Sequence, residues 1–267
     1  MKTPMLAGLT LLALTIACDE PKTNEASPAE AAAAAAPAPS PSAPPPPPAP
    51  PPPAFVKKSA ADCKAHPASV DFTDNAALEK EVRRKLQKDN GPIAPSELAQ
   101  IKSINLTTQE PIHQIDPCIF PMFTSVKDLF LGQGDYDSLA PIQKLTAIEA
   151  LRASISHVKD LRPIEGLKRM DRLDLSHTLI GDDDLKSVGQ LVNVTELMLD
   201  EDSISDLTPI ANLKKLERLS IKNTRVQNLV PIASLRSLKF LYIAGSAVSD
   251  ISPVQPLVAH GMRLLQN

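Results

Sequence analysis

The sequence predicts an α/β solenoid: short strands stacked into one concave parallel sheet, short 3₁₀ or helical turns on the convex side, and a helical cap at the N-terminal end. Three observations carry this. Leu207-Thr208-Pro209-Ile210-Ala211-Asn212-Leu213 recurs 22 residues later as Leu229-Val230-Pro231-Ile232-Ala233-Ser234-Leu235, and more loosely as Ile251-Ser252-Pro253-Val254-Gln255-Pro256-Leu257. The same mould fits upstream at Leu139 to Leu145 and Leu161 to Leu167. A fixed period in the low twenties marks units that cannot bury an apolar face alone and must stack on their neighbours.

The N-terminal residues read as a targeting segment. Lys2 is followed by an apolar run from Met5 to Ala17, shorter than the roughly 20 residues a membrane span needs but sized for a signal peptide, here residues 1–17. Leu14-Thr15-Ile16-Ala17-Cys18 resembles a bacterial lipobox, with Thr15 and Ile16 departing from its usual residues. That resemblance implies lipidation at Cys18 and a membrane anchor; plain secretion is the alternative. Of the three cysteines, Cys18 is then accounted for, leaving Cys63 and Cys118 as an even pair in an oxidising compartment, where a disulfide is expected. Cys118 falls in the slot of Ile210 and Val254, so it is expected to be buried; a buried free thiol acting as a small hydrophobe is the other reading.

Residues 18–58 follow as an Ala/Pro-rich stalk, with an alanine run from Ala31 to Ala36 and proline runs at Pro44 to Pro48 and Pro50 to Pro53. Such composition cannot form a core. From Pro37 to Pro53 it makes a semi-rigid polyproline spacer on the order of 50 Å long. An SH3-type ligand needs an intracellular partner, which an exported chain does not meet. Residues 59–98 are expected to form the cap, with Leu78, Val82 and Leu86 as its apolar stripe.

Seven repeats cover 99–257, namely 99–123, 124–145, 146–167, 168–191, 192–213, 214–235 and 236–257, and 258–267 is a C-terminal cap or tail. In 192–213 the apolar frame is Val194, Leu197, Leu199, Ile204, Leu207, Ile210 and Leu213. The Leu-x-Leu pair has period two and reads as a short strand with its leucines inward. Pro209, lacking an N–H, suits the first turn of a helix, and Asp160, Asp206 and Asp250 occupy the capping slot ahead of such turns. Ser156, Thr178, Asp202, Thr224 and Ser246 form a column after the strands, expected to accept turn amides; Gly134 and Gln109 interrupt it. Two units depart: 99–123 has extra residues between Pro117 and Phe123, and 168–191 gains two residues and loses its Pro.

This pattern resembles bacterial leucine-rich repeats of the internalin type across about 99–257, and 70–99 is similar to their helical cap. The resemblance implies a leucine-rich repeat solenoid that recognises a protein or peptide. Partner-facing residues are then the outward strand positions. The central column holds Phe130, Arg152, Asp174, Met198 and Tyr242, and the flanking columns Arg172, Glu196, Arg218, Phe240 and Lys222. Aromatic and Arg side chains dominate interface energetics, which makes Phe130, Phe240 and Tyr242 notable in a chain with 3% aromatics.

Other chemistries are poorly supplied. With 28 basic and 31 acidic residues and no Trp, nucleic acid is not expected. Asp182-Asp183-Asp184 lacks calcium-loop spacing and reads as a solvated turn whose last Asp caps a helix. Asp174, Ser176 and His177 do not make a triad, because Asp174 and Ser176 flank Leu175 on an outward strand face and His177 precedes the turn. No phosphate-loop, metalloprotease or nucleophile-elbow motif occurs. No metal or cofactor is expected, and a monomer is. The leading reading is an exported, lipid-anchored cell-envelope protein, not an enzyme, that binds a protein or peptide on its concave face. A structural envelope protein without a concave ligand is the alternative, and a surface hydrolase comes third.

Overall fold

The computed structural model describes residues 57–65, 67–108 and 110–266. Signal segment, Cys18, nearly all of the stalk and Gln109 lie outside the described residues. Eight strands form one parallel sheet in chain order: β1 Ser103–Asn105, β2 Asp128–Phe130, β3 Ala150–Arg152, β4 Arg172–Asp174, β5 Glu196–Met198, β6 Arg218–Ser220, β7 Phe240–Tyr242 and β8 Arg263–Leu265. The register puts Ile104, Leu129, Leu151, Leu173, Leu197, Leu219, Leu241 and Leu264 in one rung. The first seven are buried. Alternation then turns the residues on either side of each rung outward. The sheet therefore runs one strand further than the seven expected, into the segment read as a C-terminal cap or tail.

Each regular unit returns through a 3₁₀ turn with Pro at its second position, as at Ala140–Ile142, Arg162–Ile164, Thr208–Ile210, Val230–Ile232 and Ser252–Val254. The turn's last residue is buried in all five. Just before it, Asp160, Asp206, Asn228 and Asp250 each accept the amide two residues on, at 2.8–3.0 Å. These Asx turns set the chain's entry into the proline-bearing turn.

Unit 168–191, which has no Pro, uses a short helix instead, Leu185–Val188. Asp184 stands at its N-cap without making the expected cap bond; its carboxylate turns back to accept the Gly181 amide at 2.9 Å. Asp182 reaches the next unit, accepting Ser205 N, Ser205 Oγ and Asp206 N at 2.7, 2.7 and 3.0 Å. Burial raises this carboxyl, but the three donors prevail and leave it below its ordinary range. A Cβ on Gly189 would stand 2.3 Å from the Pro209 carbonyl oxygen, so only glycine lets this unit approach the following turn.

The post-strand column does not supply acceptors as expected. Ser156, Thr224 and Ser246 donate their hydroxyls to Ala153, Ile221 and Ile243 carbonyls of their own units at 2.7–2.8 Å. Asp202 alone accepts an amide, from Thr178 at 2.8 Å, together with the Thr178 hydroxyl at 2.9 Å. A hydroxyl can satisfy a nearby carbonyl without reaching another unit, whereas Asp202 turns a carboxyl oxygen to the amide and hydroxyl of the preceding unit's Thr178. Gly134 breaks the column because the first unit's backbone closes on it: an added Cβ would lie 1.9 Å from the Ile112 carbonyl oxygen.

At the N-terminal end, helix α1 (Ala76–Leu86) buries Leu78 and Val82 and packs Leu86 partly against the core. Its buried Glu81 accepts the Asn105 amide at 3.2 Å, and Lys85 donates to Ser103 Oγ at 2.6 Å. The cap thereby covers the edge strand β1, whose free backbone groups would otherwise invite another chain. Cys63 and Cys118 are disulfide-bonded. Cys118 is half-buried, not buried as its alignment implied. Phe120, three residues before Phe123 as Ile142 is before Leu145, fills the core slot instead, and the turn's proline is Pro121. With the thiol displaced toward the surface, Cys63 can reach it.

Candidate functional site

The ten residues selected from the sequence all sit on the strands of the concave sheet or just beyond one of them, and all are exposed or half-buried. They fall into two clusters. Phe130, Arg152, Arg172, Asp174, Glu196 and Met198 surround a shallow depression of about 210 Å³ across β2 to β5. Its floor is Ala150 with Leu151 and Leu173. Ala150 is the one alanine in an outward column otherwise filled by Ser103, Asp128, Arg172, Glu196, Arg218, Phe240 and Arg263. Removing side-chain bulk there opens the hollow and lets Arg172 pass over β3 to Asp128 at 3.4 Å.

The rim charges are mutually engaged. Arg152 Nε lies 3.2 Å from Asp174 Oδ2 and donates to Ser154 Oγ at 3.0 Å, and Arg218 lies 3.5 Å from Glu196. Exposed pairs of this kind stabilise little. They tie the long side chains around the hollow to one another.

The second cluster lies on β6 to β8. The Arg218 guanidinium stands 4.7 Å from the Phe240 ring centroid and 6.0 Å from that of Tyr242, and donates to the Tyr242 hydroxyl at 2.9 Å. Arg263 covers Phe240 from the far side at 5.8 Å. Stacking lowers the freedom of both partners and leaves guanidinium edges available for hydrogen bonds. Lys222 stands apart from both clusters, paired with Asp200 at 3.0 Å. Asp200 also accepts Ser220 Oγ at 2.5 Å and the Lys222 amide at 2.8 Å, which keeps buried Ser220 low between the clusters.

Sequence reasoning missed Arg263, Asp128 and Ala150. For Ala150 the signal was a small residue in a column of large ones. For Arg263 it was the Met262-Arg263-Leu264-Leu265 stretch after the last repeat. The side chains of Asp174, Ser176 and His177 form no relay: Asp174 accepts the Ser176 backbone amide at 3.1 Å, Ser176 Oγ accepts the Asp200 amide at 3.3 Å, and His177 Nδ1 meets Glu201 at 3.0 Å. Among the described residues no group of three His, Cys, Asp or Glu could hold a metal ion.

Beneath the sheet, Asp202 is buried with Oδ2 unpaired. Burial pushes its pKa up to about 7, assisted by Asp174 and Asp200 and opposed by the Thr178 bonds. A larger hollow of about 370 Å³ lies at the N-terminal end, lined by residues including Lys58, Pro117, Pro121, Tyr136 and Pro141. It has Lys58 and Asp137 at its edge but no aromatic–Arg stack like that on β6 to β8.

A scan against protein-family models finds no match, and neither does a search of curated proteins. Among solved structures, the chain is similar to internalin C2 of Listeria monocytogenes, at 21% identity and a TM-score of 0.62, covering 77% of this chain and all of that one. An internalin F from the same organism matches at 22% and 0.60, covering 73% of this chain and 63% of its own. A leucine-rich repeat protein of Leptospira interrogans matches at 19% and 0.51, covering 64% and 51%. At these identities the likeness concerns the fold, which is that of a leucine-rich repeat solenoid with one open parallel sheet.

Proposed function

We propose that this chain is a membrane-tethered, envelope-exposed recognition protein that binds a protein partner through its concave sheet. The observation that carries this is the stacked Arg218–Phe240–Tyr242–Arg263 group on the same face as the Ala150 hollow. Aromatic anchors and Arg beside an apolar hollow are what energetic centres of interfaces are made of. The alternative, a structural envelope protein, predicts an even polar face with no such grouping. The tether rests on the sequence, through the apolar run ending at Ala17-Cys18. The Cys63–Cys118 bond supports an oxidising, exported setting. The internalin-like solenoids share this fold and support a scaffold rather than a catalytic role.

The test compares faces. With a captured partner, Arg152→Ala, Met198→Ala and Tyr242→Ala should each weaken binding, and a true anchor costs at least about 2 kcal/mol, near thirtyfold. Convex Thr208→Ala and Val230→Ser should leave affinity unchanged. Thermal melts must first show every variant folded. Loss of binding from the convex changes with the concave ones neutral would reject this face.

A further inference from the structure

The concave charges do not cancel. Along the track from the Ala150 hollow to β8, Asp128 pairs with Arg172, Asp174 with Arg152, and Glu196 with Arg218. Asp200 is taken by Lys222. Arg263 remains: among the described residues it has no carboxylate partner, and its guanidinium is spread over Phe240 at 5.8 Å. A cation fixed on a ring, exposed and unneutralised, is a place for an incoming carboxylate, because desolvating its stacked face has already been done in the free protein.

Hollow and unpaired cation sit at opposite ends of one path. Between them the sheet surface is low at buried Ser220 and bounded by Met198 and Tyr242. The centre of the hollow, between β3 and β4, is four to five strand spacings from β8, on the order of 20 Å at ~4.8 Å per strand. An extended chain rising ~3.3 Å per residue covers that in about six residues.

Resting on the concave-face reading above, we propose that the partner contributes an extended protein segment lying across the strands, with an apolar side chain seated in the Ala150 hollow and an Asp or Glu about six residues away bound by Arg263. Hollow and cation thus set its spacing. The paired rim charges exclude a uniformly charged segment, since each carboxylate of the rim would repel added acids and each guanidinium is already engaged.

A random dodecapeptide library displayed on phage, selected on the full chain, tests this. Enriched peptides are synthesised and titrated by fluorescence anisotropy against wild type, Ala150→Leu, Met198→Ala, Tyr242→Ala, Arg263→Gln and the convex control Val230→Ser, each checked by thermal melt. Expected are peptides with Leu, Met or Phe five to seven positions from Asp or Glu, weakened tenfold or more by Arg263→Gln and by Ala150→Leu. Met198→Ala stands in for the hollow if Ala150→Leu does not fold. Replacing the peptide's acid with its amide should weaken binding to wild type and leave binding to Arg263→Gln unchanged. Failure to enrich any peptide, enrichment without the acid, or indifference to Arg263→Gln overturns the inference. Peptides of that last kind that still respond to Met198→Ala and Tyr242→Ala leave the concave reading standing; peptides indifferent to every concave change remove both.

Discussion

Between Val192 and Leu257 three units of 22 residues repeat one another almost position for position, and their apolar frame is buried except at Val248 and Ile251. Between Lys58 and Leu145 the units differ in length and filling. Gly134 leaves the polar column empty, Tyr136 occupies an apolar slot with its hydroxyl buried, and Phe120 replaces an aliphatic residue. That half is held by added devices: the Cys63–Cys118 bond, Lys58 between Asp74 and Asp116 at 2.9 and 3.4 Å, and Glu81 against β1. The difference teaches that a repeat is stabilised by having an equal on each side. The first units lack one, and covalent and ionic links substitute for it.

The largest effect expected is from Leu197→Ala, at the centre of the leucine rung. Truncating a fully buried leucine costs about 2–5 kcal/mol. If the regular half is one cooperative stack, hydrogen exchange should rise across the units on both sides of 192–213. Loss of protection in that unit alone would show the ladder to be a row of independent pieces, breaking the contrast.

Next comes the double change Cys63→Ser with Cys118→Ser. Opening this loop should cost roughly 2–4 kcal/mol, read by urea denaturation of the oxidised wild type beside the variant. Exchange should quicken over 57–123 and stay unchanged over 192–257. Equal quickening at both ends would mean the staple serves the whole solenoid.

The smallest concerns Asp202. Its ordinary pKa is 3.8 and its folded one is about 7, so the folded protein holds a proton that the unfolded chain releases. Asp202's contribution to stability is therefore fully present below pH 3.8, is lost as pH climbs toward 7, and is level above. The shift corresponds to at most about 4 kcal/mol. Asp202→Asn keeps an oxygen for Thr178 but buries amide N–H groups, so a gain of about 1–2 kcal/mol at pH 8 is expected. Melts at pH 4, 6 and 8 should show a flatter profile in the variant. An unchanged profile would assign the regular half's pH dependence elsewhere.

The fold was legible because burial at the centre of each strand and again just past its end forces Leu-x-Leu, and because a proline-bearing turn is readable wherever it recurs. The outward positions followed from alternation alone, which is why all ten candidate residues lie on the concave side. What escaped has physical reasons. β8 needs only inward residues and a neighbour to pair with, so it forms after the last proline turn, where the repeat frame stops. Two prolines, Pro117 and Pro121, compete for the first unit's turn, and the choice between them decides whether Cys118 points to the core. Whether a column hydroxyl donates or accepts depends on which carbonyl is left free, and no spacing encodes that.

The strap at Lys58 has a mechanical consequence. Gln114 clasps its backbone from both sides, accepting the Lys58 amide and donating to its carbonyl, and Lys57 reaches Asp137 at 2.8 Å. A pull arriving at residue 57 meets these bonds first and then crosses from Cys63 to Cys118, entering the solenoid just ahead of β2. Strand β1 lies off that route, and helix α1 meets it only at its start, where Asp74 pairs with Lys58 at 2.9 Å. A load applied at residue 57 would therefore enter the solenoid ahead of β2 without first pulling on the edge strand that the cap covers.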